Sequence, residues 1–279
     1  MKERIISALV AIPLFSAIIL FAPQSVCLAC WYLCVIVCSY EFFKIRGLSK
    51  TKSLVASVIV GSIGPVVFYI TKHPFDYALN NAWKITLATT GIITVLSWCV
   101  IVPVFFNKYN KNQELKINNV LLFSMWTCII SCFFLFAALF SDHNDHKLGN
   151  LSLYLLSILI TIWANDAGAY FVGKAIGKHK FLPTIIPNKT WEGFFGGMVI
   201  VTIILPLMYS DISLAIFAPI IVVFATIGDL FQSMLKRMAG VKDSGNVIPG
   251  YGGVFDCIDS WLPVGSMIFA VFAFAFASA

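Results

Sequence analysis

The segment ISLAIFAPIIVVFATIGDLFQSMLKR, residues 212–237, changes from apolar to polar within one predicted helix. Residues 212–231 are long enough to cross a bilayer. If the helix continues to residue 237, four polar side chains fall on one face at i, i+4, i+7 and i+8, namely Asp229, Ser233, Lys236 and Arg237. A carboxylate on such a face can hold a metal ion, and the cations can hold phosphates. The alternative is a salt-bridged helix end whose cations reach the interface.

The rest of the chain is equally apolar. Charged residues make up 11% of it, against about 25% in soluble domains, and the mean hydropathy is +0.90. We therefore predict an all-α, polytopic integral membrane protein rather than a barrel, whose strands would alternate in hydrophobicity. Nine spans are predicted, at about 5–22, 25–43, 53–71, 85–106, 120–140, 151–173, 192–209, 212–231 and 261–278.

The distribution of cations predicts an orientation. Of the 19 Lys and Arg residues, only three fall in loops opposite the N-terminus, namely Lys72, Lys84 and Lys147. The N-terminus is therefore predicted to be cytoplasmic and the C-terminus external. We divide the chain into N-terminal membrane helices, residues 1–150 with about five spans, and a C-terminal membrane region, residues 151–279, whose polar candidate site is predicted to face the cytoplasm. The first five spans hold little that is polar beyond Glu41.

Asp166 lies in or near the end of the sixth predicted span, within WANDAGAYFVGKAIGKHKF, residues 163–181. A carboxylate at the bilayer centre costs about 2.5–3.5 kcal/mol on insertion scales, which favours a functional site. The alternative is an interfacial carboxylate paired with Lys174 or Lys178.

The segment IIPNKTWEGFFGG, residues 185–197, places Lys189 directly before a glycine-rich helix start. A cation beside a helix N-terminus is suited to phosphate binding. Asn188 or Thr190 can cap the same helix, with Glu192 favoured by the helix dipole. These two interpretations are compatible.

A polar segment, KRMAGVKDSGNVIPGYGGVFDCIDS, residues 236–260, follows the opening helix. Its glycines permit close backbone approach to a ligand. Asp256 and Asp259 are spaced i, i+3 at the start of the last predicted span, so they can share a face. Glycines, cations and several acids together suit a metal-bound polyphosphate, whereas a flexible polar loop explains only the glycines.

The stretch from Ser233 to Asp259 reads S-x-x-K-R-x4-K-D-x-G-x3-P-G-x-G-G-x2-D-x2-D. It closely resembles the signature of the phosphatidate cytidylyltransferases, or CDP-diacylglycerol synthases, and the two upstream segments resemble further landmarks of that family. The resemblance covers about residues 160–265. Two positions depart from the pattern, since Tyr251 stands where the family has His, and Cys257 where it has Arg.

The resemblance implies that CTP and phosphatidate react to give CDP-diacylglycerol and pyrophosphate, with Mg²⁺ as cofactor and a second cation left open. Asp229 and Asp256 are the expected principal metal ligands. Both are also expected to be catalytic, together with Lys236 and Asp243. The expected substrate-binding residues are Asp166, Lys189, Ser233, Arg237, Lys242, Tyr251, Gly252, Gly253 and Asp259, of which Asp166 and Asp259, like Asp243, are further candidates near the metal.

The expected partners are the two substrates and the lipid bilayer, without nucleic acid. A homodimer is left open. The net charge of +6 fits anionic lipid and anionic substrate, and the short loops favour a bacterial inner membrane with the site facing the cytoplasm. Two other functions remain open at this point, namely another CTP-using lipid enzyme resembling a polyprenol kinase, and an ion-coupled transporter that uses Asp166 and Asp229.

Overall fold

A computed structural model describes residues 2–59, 62, 89–111, 151–250 and 252–278. The predicted span at 120–140 lies outside these residues, and those at 53–71 and 85–106 are described in part. The helices are α1 (Lys2–Phe21), α2 (Gln24–Ile45), α3 (50–59), α4 (89–110, with a π-helical turn at Ser97–Ile101), α5 (Leu151–Ile176), α6 (Trp191–Tyr209), α7 (Ala218–Met238) and α8 (Trp261–Ser278).

Five helical segments are long and apolar enough to cross a membrane, by length and composition. They are Ser25–Ile45, Thr89–Tyr109, Leu156–Ile176, Trp191–Tyr209 and Ile212–Met238, and α1 and α8 contain shorter apolar stretches. Many large apolar side chains on these helices are exposed, as lipid-facing residues of a membrane bundle are. The prediction of a polytopic helical membrane protein is confirmed.

The opening segment is helical from residue 212 through its polar end. Ile212–Phe217 form a 3₁₀ turn, and the α-helix begins at Ala218. Pro219 follows as the second helical residue, a position where its missing N–H costs nothing. Because α7 continues to Met238, the predicted polar face lies on a single helix.

Helices α5 and α6 form a close antiparallel hairpin joined by a two-stranded sheet, β1 (Lys180–Leu182) and β2 (Ile186–Thr190). A Cβ at Gly193 would lie 2.6 Å from the Ala169 carbonyl oxygen, and one at Gly173 would lie 3.4 Å from the Gly193 Cα. The glycines therefore let the two helix backbones come into contact. Thr190 caps α6, and its side-chain oxygen accepts a hydrogen bond from the Gly193 N–H at 3.2 Å.

The main core joins the N-terminal helices to α7 and the loop that follows it. Trp98 of α4 packs edge-on against Phe231 of α7, with ring centroids 5.3 Å apart. Phe42 of α2 packs against Phe255, which lies in a short 3₁₀ turn at Phe255–Cys257. These buried aromatic contacts fix α7 and the glycine-rich loop against α2 and α4.

Candidate active site

A cavity of about 940 Å³ lies where the polar ends of these elements meet. Its walls come from α1, α5, β2, α6, α7 and residues 248–260. Apolar side chains of α1, including Ile12 and Phe15, form part of the lining, and the predicted residues that line it are Asp166, Lys189, Asp229, Asp256 and Asp259. The cavity therefore combines an apolar wall with a charged one.

Lys189 and Asp229 form an ion pair across the cavity wall. The Lys189 Nζ lies 2.7 Å from Asp229 Oδ2, and the Ser233 hydroxyl is 3.5 Å from the other carboxylate oxygen. The partner of Asp229 thus comes from β2 and not from a cation of its own helix. Because Lys189 directly precedes the cap residue Thr190, the cation stands at the N-terminus of α6, where both the side chain and the backbone N–H groups favour an anion.

A second ion pair joins Lys236 of α7 to Asp256, with 2.8 Å between Nζ and Oδ1. Asp256 Oδ2 accepts hydrogen bonds from the backbone N–H groups of Ser244 at 2.8 Å and Gly253 at 2.9 Å. Burial opposes ionisation of Asp256, but the Lys236 ammonium and the two N–H donors outweigh it and hold the pKa of this carboxyl below its usual value. Asp256 is therefore held in place at both of its oxygens, and its ionised form is favoured.

Asp166, Asp229 and Asp259 form an acidic cluster on the cavity wall. Burial, together with the charges of Asp229 and Asp166, raises the pKa of Asp259 well above its usual value. The three carboxylates repel one another, and a cation bound among them would relieve this repulsion. In the described part of the chain, Asp166 forms no ion pair with Lys174 or Lys178, so the interfacial pairing considered above is absent there.

The oxygen donors of this cluster fit a hard cation such as Mg²⁺. Within the described ranges, however, no three Asp, Glu, His or Cys side chains converge closely enough to hold a metal by themselves. Mg²⁺ is commonly bound by one or two carboxylates together with substrate phosphates, and the two predicted ligands, Asp229 and Asp256, both line the cavity.

The glycine-rich loop reaches Asp256 because it lacks side chains at the contact. Gly252 has φ +104°, and a Cβ there would lie 2.6 Å from Asp256 Oδ2 and 3.2 Å from the Asp243 Cβ. The Ser7 hydroxyl of α1 donates to the Pro249 carbonyl at 2.7 Å, so α1 also contacts this loop. Tyr251 lies outside the described residues.

Other predicted site residues lie around the cavity rather than on its surface. Arg237, Lys242 and Asp243 are exposed, and none of the three lines it. Ser233 and Lys236 do not line the cavity, but they contact Asp229 and Asp256, which do. Gly252 and Gly253 contact Asp256 from the loop side.

Two buried residues that the sequence reasoning left without a role contact the loop. Glu41 of α2 is 3% exposed and accepts hydrogen bonds from Ser244, Val254 and Phe255. Gln232 of α7 donates to the Phe255 carbonyl. An acid inside an otherwise apolar span is a signal that could have identified Glu41, whereas nothing in the sequence singles out Gln232.

Comparison with known proteins places the chain in a family. Residues 2–275 match the family model described as "Cytidylyltransferase family". Phosphatidate cytidylyltransferase of Bacillus subtilis (strain 168) is 32% identical over 98% of this chain and 98% of its own length. The protein of that name from Haemophilus influenzae is 30% identical over 93% of this chain and 94% of its own length. The one from Pseudomonas aeruginosa is 41% identical over 43% of this chain and 47% of its own length. The predicted resemblance is confirmed, and the chain belongs to the cytidylyltransferase family.

Proposed function

We propose that this chain is a phosphatidate cytidylyltransferase. A phosphate oxygen of phosphatidate attacks the α-phosphorus of CTP, the bond from that phosphorus to the bridging oxygen breaks, and pyrophosphate leaves as CDP-diacylglycerol forms. The observation that supports this most is the cavity, in which the apolar α1 wall suits a lipid and the ion pairs suit phosphates. The names of the full-length relatives support the same reaction.

The side chains of the cavity account for the binding of two polyanions. Lys189 and the α6 N-terminus offer donors to phosphate oxygens, so an incoming phosphate competes with Asp229 for the Lys189 ammonium. Lys236 holds Asp256 in place while the loop N–H groups hold its other oxygen. No strong general base is required, because the lipid phosphate is already an anionic nucleophile.

We propose Asp229 and Asp256 as the principal Mg²⁺ ligands, with Asp166, Asp243 and Asp259 as further candidates and a second cation left open. The bound ion would offset the charge of the triphosphate and orient it for in-line attack. The acidic cluster supports this proposal, because Asp166, Asp229 and Asp259 line one cavity and a cation there would offset their mutual repulsion. Arg237 and Lys242 are proposed to attract phosphates from the surface, and Tyr251 to contact the substrate.

We further propose nine spans with a cytoplasmic N-terminus, residues 1–150 as the N-terminal membrane helices and a bacterial inner-membrane location with the site open to cytoplasmic CTP. The support is the low number of cations predicted on the opposite side. A role in binding nucleic acid is not proposed, and a homodimer stays open. A C-terminal reporter that is active only in the cytoplasm would contradict this topology.

The function is tested with purified protein in detergent. Pyrophosphate release from CTP, coupled to CDP-diacylglycerol formation, should require both phosphatidate and Mg²⁺. A polyprenol kinase would instead release CDP and phosphorylate a polyprenol, and a transporter would do neither but would move ions into proteoliposomes. Either of these outcomes, with no pyrophosphate released, overturns the proposal.

A further inference from the structure

Glu41 connects the second helix to the glycine-rich loop. Its Oε2 accepts hydrogen bonds from the Ser244 hydroxyl at 2.9 Å and the Phe255 N–H at 2.8 Å, and its Oε1 accepts one from the Val254 N–H at 3.2 Å. The donors lie 203 to 214 positions further along the chain. Glu41 does not line the cavity, so it has no direct contact with a ligand there.

The same loop residues hold Asp256. Ser244 donates its hydroxyl to Glu41 and its backbone N–H to Asp256. Gly253 donates its N–H to Asp256, and the next two N–H groups donate to Glu41. Ser244 and residues 253–255 are therefore shared between two carboxylates, one of which lines the cavity while the other is buried.

Glycines make room for the Glu41 side chain. A Cβ at Gly245 would lie 2.6 Å from Glu41 Oε1, and one at Gly253 would clash with Glu41 and with the Ser244 hydroxyl. Part of the glycine requirement of this loop thus comes from the buried acid, and part from the approach to Asp256 that Gly252 permits.

Glu41 interacts with the loop through hydrogen bonds and without an ion pair among the described residues. Within the described residues, no Lys or Arg forms an ion pair with it, and its hydrogen bonds come from the three loop donors. A buried carboxylate needs such donors, and the donors in turn lose their acceptor if it is removed. The Phe255 N–H is buried, so it cannot turn to water instead.

We propose that Glu41 is a positioning residue for cytidylyl transfer, which fixes Ser244 and residues 253–255 so that the N–H groups of Ser244 and Gly253 hold Asp256 against Lys236 at the cavity. This inference rests on the proposed function for its kinetic part only. Its structural part, that the acid orders the loop, is independent of which reaction occurs.

The test is Glu41→Gln. The amide keeps the size of the side chain but replaces one oxygen with a donor, so in either orientation the N–H of Val254 or of Phe255 meets a donor instead of an acceptor. Ser39→Ala is the matched control, because Ser39 is buried on the same helix and its hydroxyl has no partner among the described residues.

Three measurements are made on each variant in detergent, namely steady-state kinetics that give kcat/KM for CTP, backbone amide exchange of the substrate-free protein, and the melting temperature. For Glu41→Gln we expect kcat/KM to fall at least about ten-fold, equivalent to about 1.4 kcal/mol. We expect exchange at residues 252–255 to accelerate by a similar factor, with little change in the helices. Ser39→Ala should match the wild type in all three.

A second variant keeps the inference testable if Glu41→Gln does not fold. Ser244→Ala removes one hydrogen bond to Glu41 and retains the N–H to Asp256. It should change loop exchange and kcat/KM in the same direction but less, and adding it to Glu41→Gln should cause little additional loss, because the shared contact is already weakened.

The inference is overturned if Glu41→Gln or Ser244→Ala behaves like Ser39→Ala. It is also overturned if melting temperature and activity fall while loop exchange rises no more than exchange elsewhere, since that pattern marks a general structural role. Faster loop exchange in a protein whose wild type forms no CDP-diacylglycerol would instead contradict the proposed function and leave the anchoring by Glu41 supported.

Discussion

Replacing Lys236 with Met tests the buried ion pair at the cavity. The side chains of Lys236 and Asp256 are 13% and 7% exposed, with 2.8 Å between Nζ and Oδ1. Met has a similar length and no charge, so the variant leaves Asp256 with its two N–H donors and without its cation. Removing one partner of a buried pair costs about 3–5 kcal/mol, because the remaining charge is uncompensated.

On the scaling that holds for soluble domains of about this size, that cost lowers the melting temperature by about 6–20 °C. The assay is thermal unfolding in detergent without Mg²⁺ or substrate. Lys189→Met is the matched comparison, because its partner Asp229 is 33% exposed and is better solvated. It should therefore lower the melting temperature by less.

The double variant Lys236→Met with Asp256→Asn separates charge from packing. It leaves no unpaired charge, so it should recover part of the stability that the single variant loses, while turnover stays low. A melting temperature for Lys236→Met equal to that of the wild type would refute the reasoning. So would a double variant that is no more stable than the single one.

Three further predictions concern the cavity residues and the contact between α5 and α6. Asp229→Asn should abolish turnover while the protein still inserts in the membrane, because an amide does not replace a charged Mg²⁺ ligand; retained activity at ordinary Mg²⁺ would exclude Asp229 as a principal ligand. Gly193→Ala should cost about 1–3 kcal/mol by overpacking, since its Cβ would lie 2.6 Å from the Ala169 carbonyl oxygen, whereas Ala175→Ser, at an exposed position of α5, should be neutral by thermal unfolding. Cys257→Arg should keep Mg²⁺-dependent activity in steady-state kinetics, because Cys257 is exposed and the neighbouring carboxylates of Asp259 and Asp256 favour a cation there; loss of activity would indicate a pocket repacked around the small side chain.

Local patterns predicted the parts of the site that lie on one element. The polar face of α7 follows from helical spacing, and Thr190 is one of the two caps that residue type and position allowed, the other being Asn188. The predicted start of the span that includes α7, at residue 212, agrees with the helical segment Ile212–Met238, although the apolar run gives no sign that its first residues form a 3₁₀ turn.

Pairings between elements could not be predicted in the same way. Lys189 and Asp229 are 40 residues apart, and nothing in either segment specifies the partner. The Lys236–Asp256 pair depends on how the glycine-rich loop folds back, which is set by Gly252 at positive φ and by a buried acid far earlier in the chain. The residue types therefore predict which groups can bind metal or phosphate, whereas long-range packing decides which of these groups come together.

The distance along the chain between Glu41 and its loop partners also has a consequence for synthesis on the ribosome. Ser244 is made 203 residues after Glu41, which at about 5–20 residues per second is an interval of roughly 10–40 s. Throughout that interval an acidic side chain belongs to a newly inserted helix whose loop donors do not yet exist. A nascent chain that stops before residue 244 therefore lacks all three loop donors, so its second helix carries an acid without the partners that the finished protein gives it.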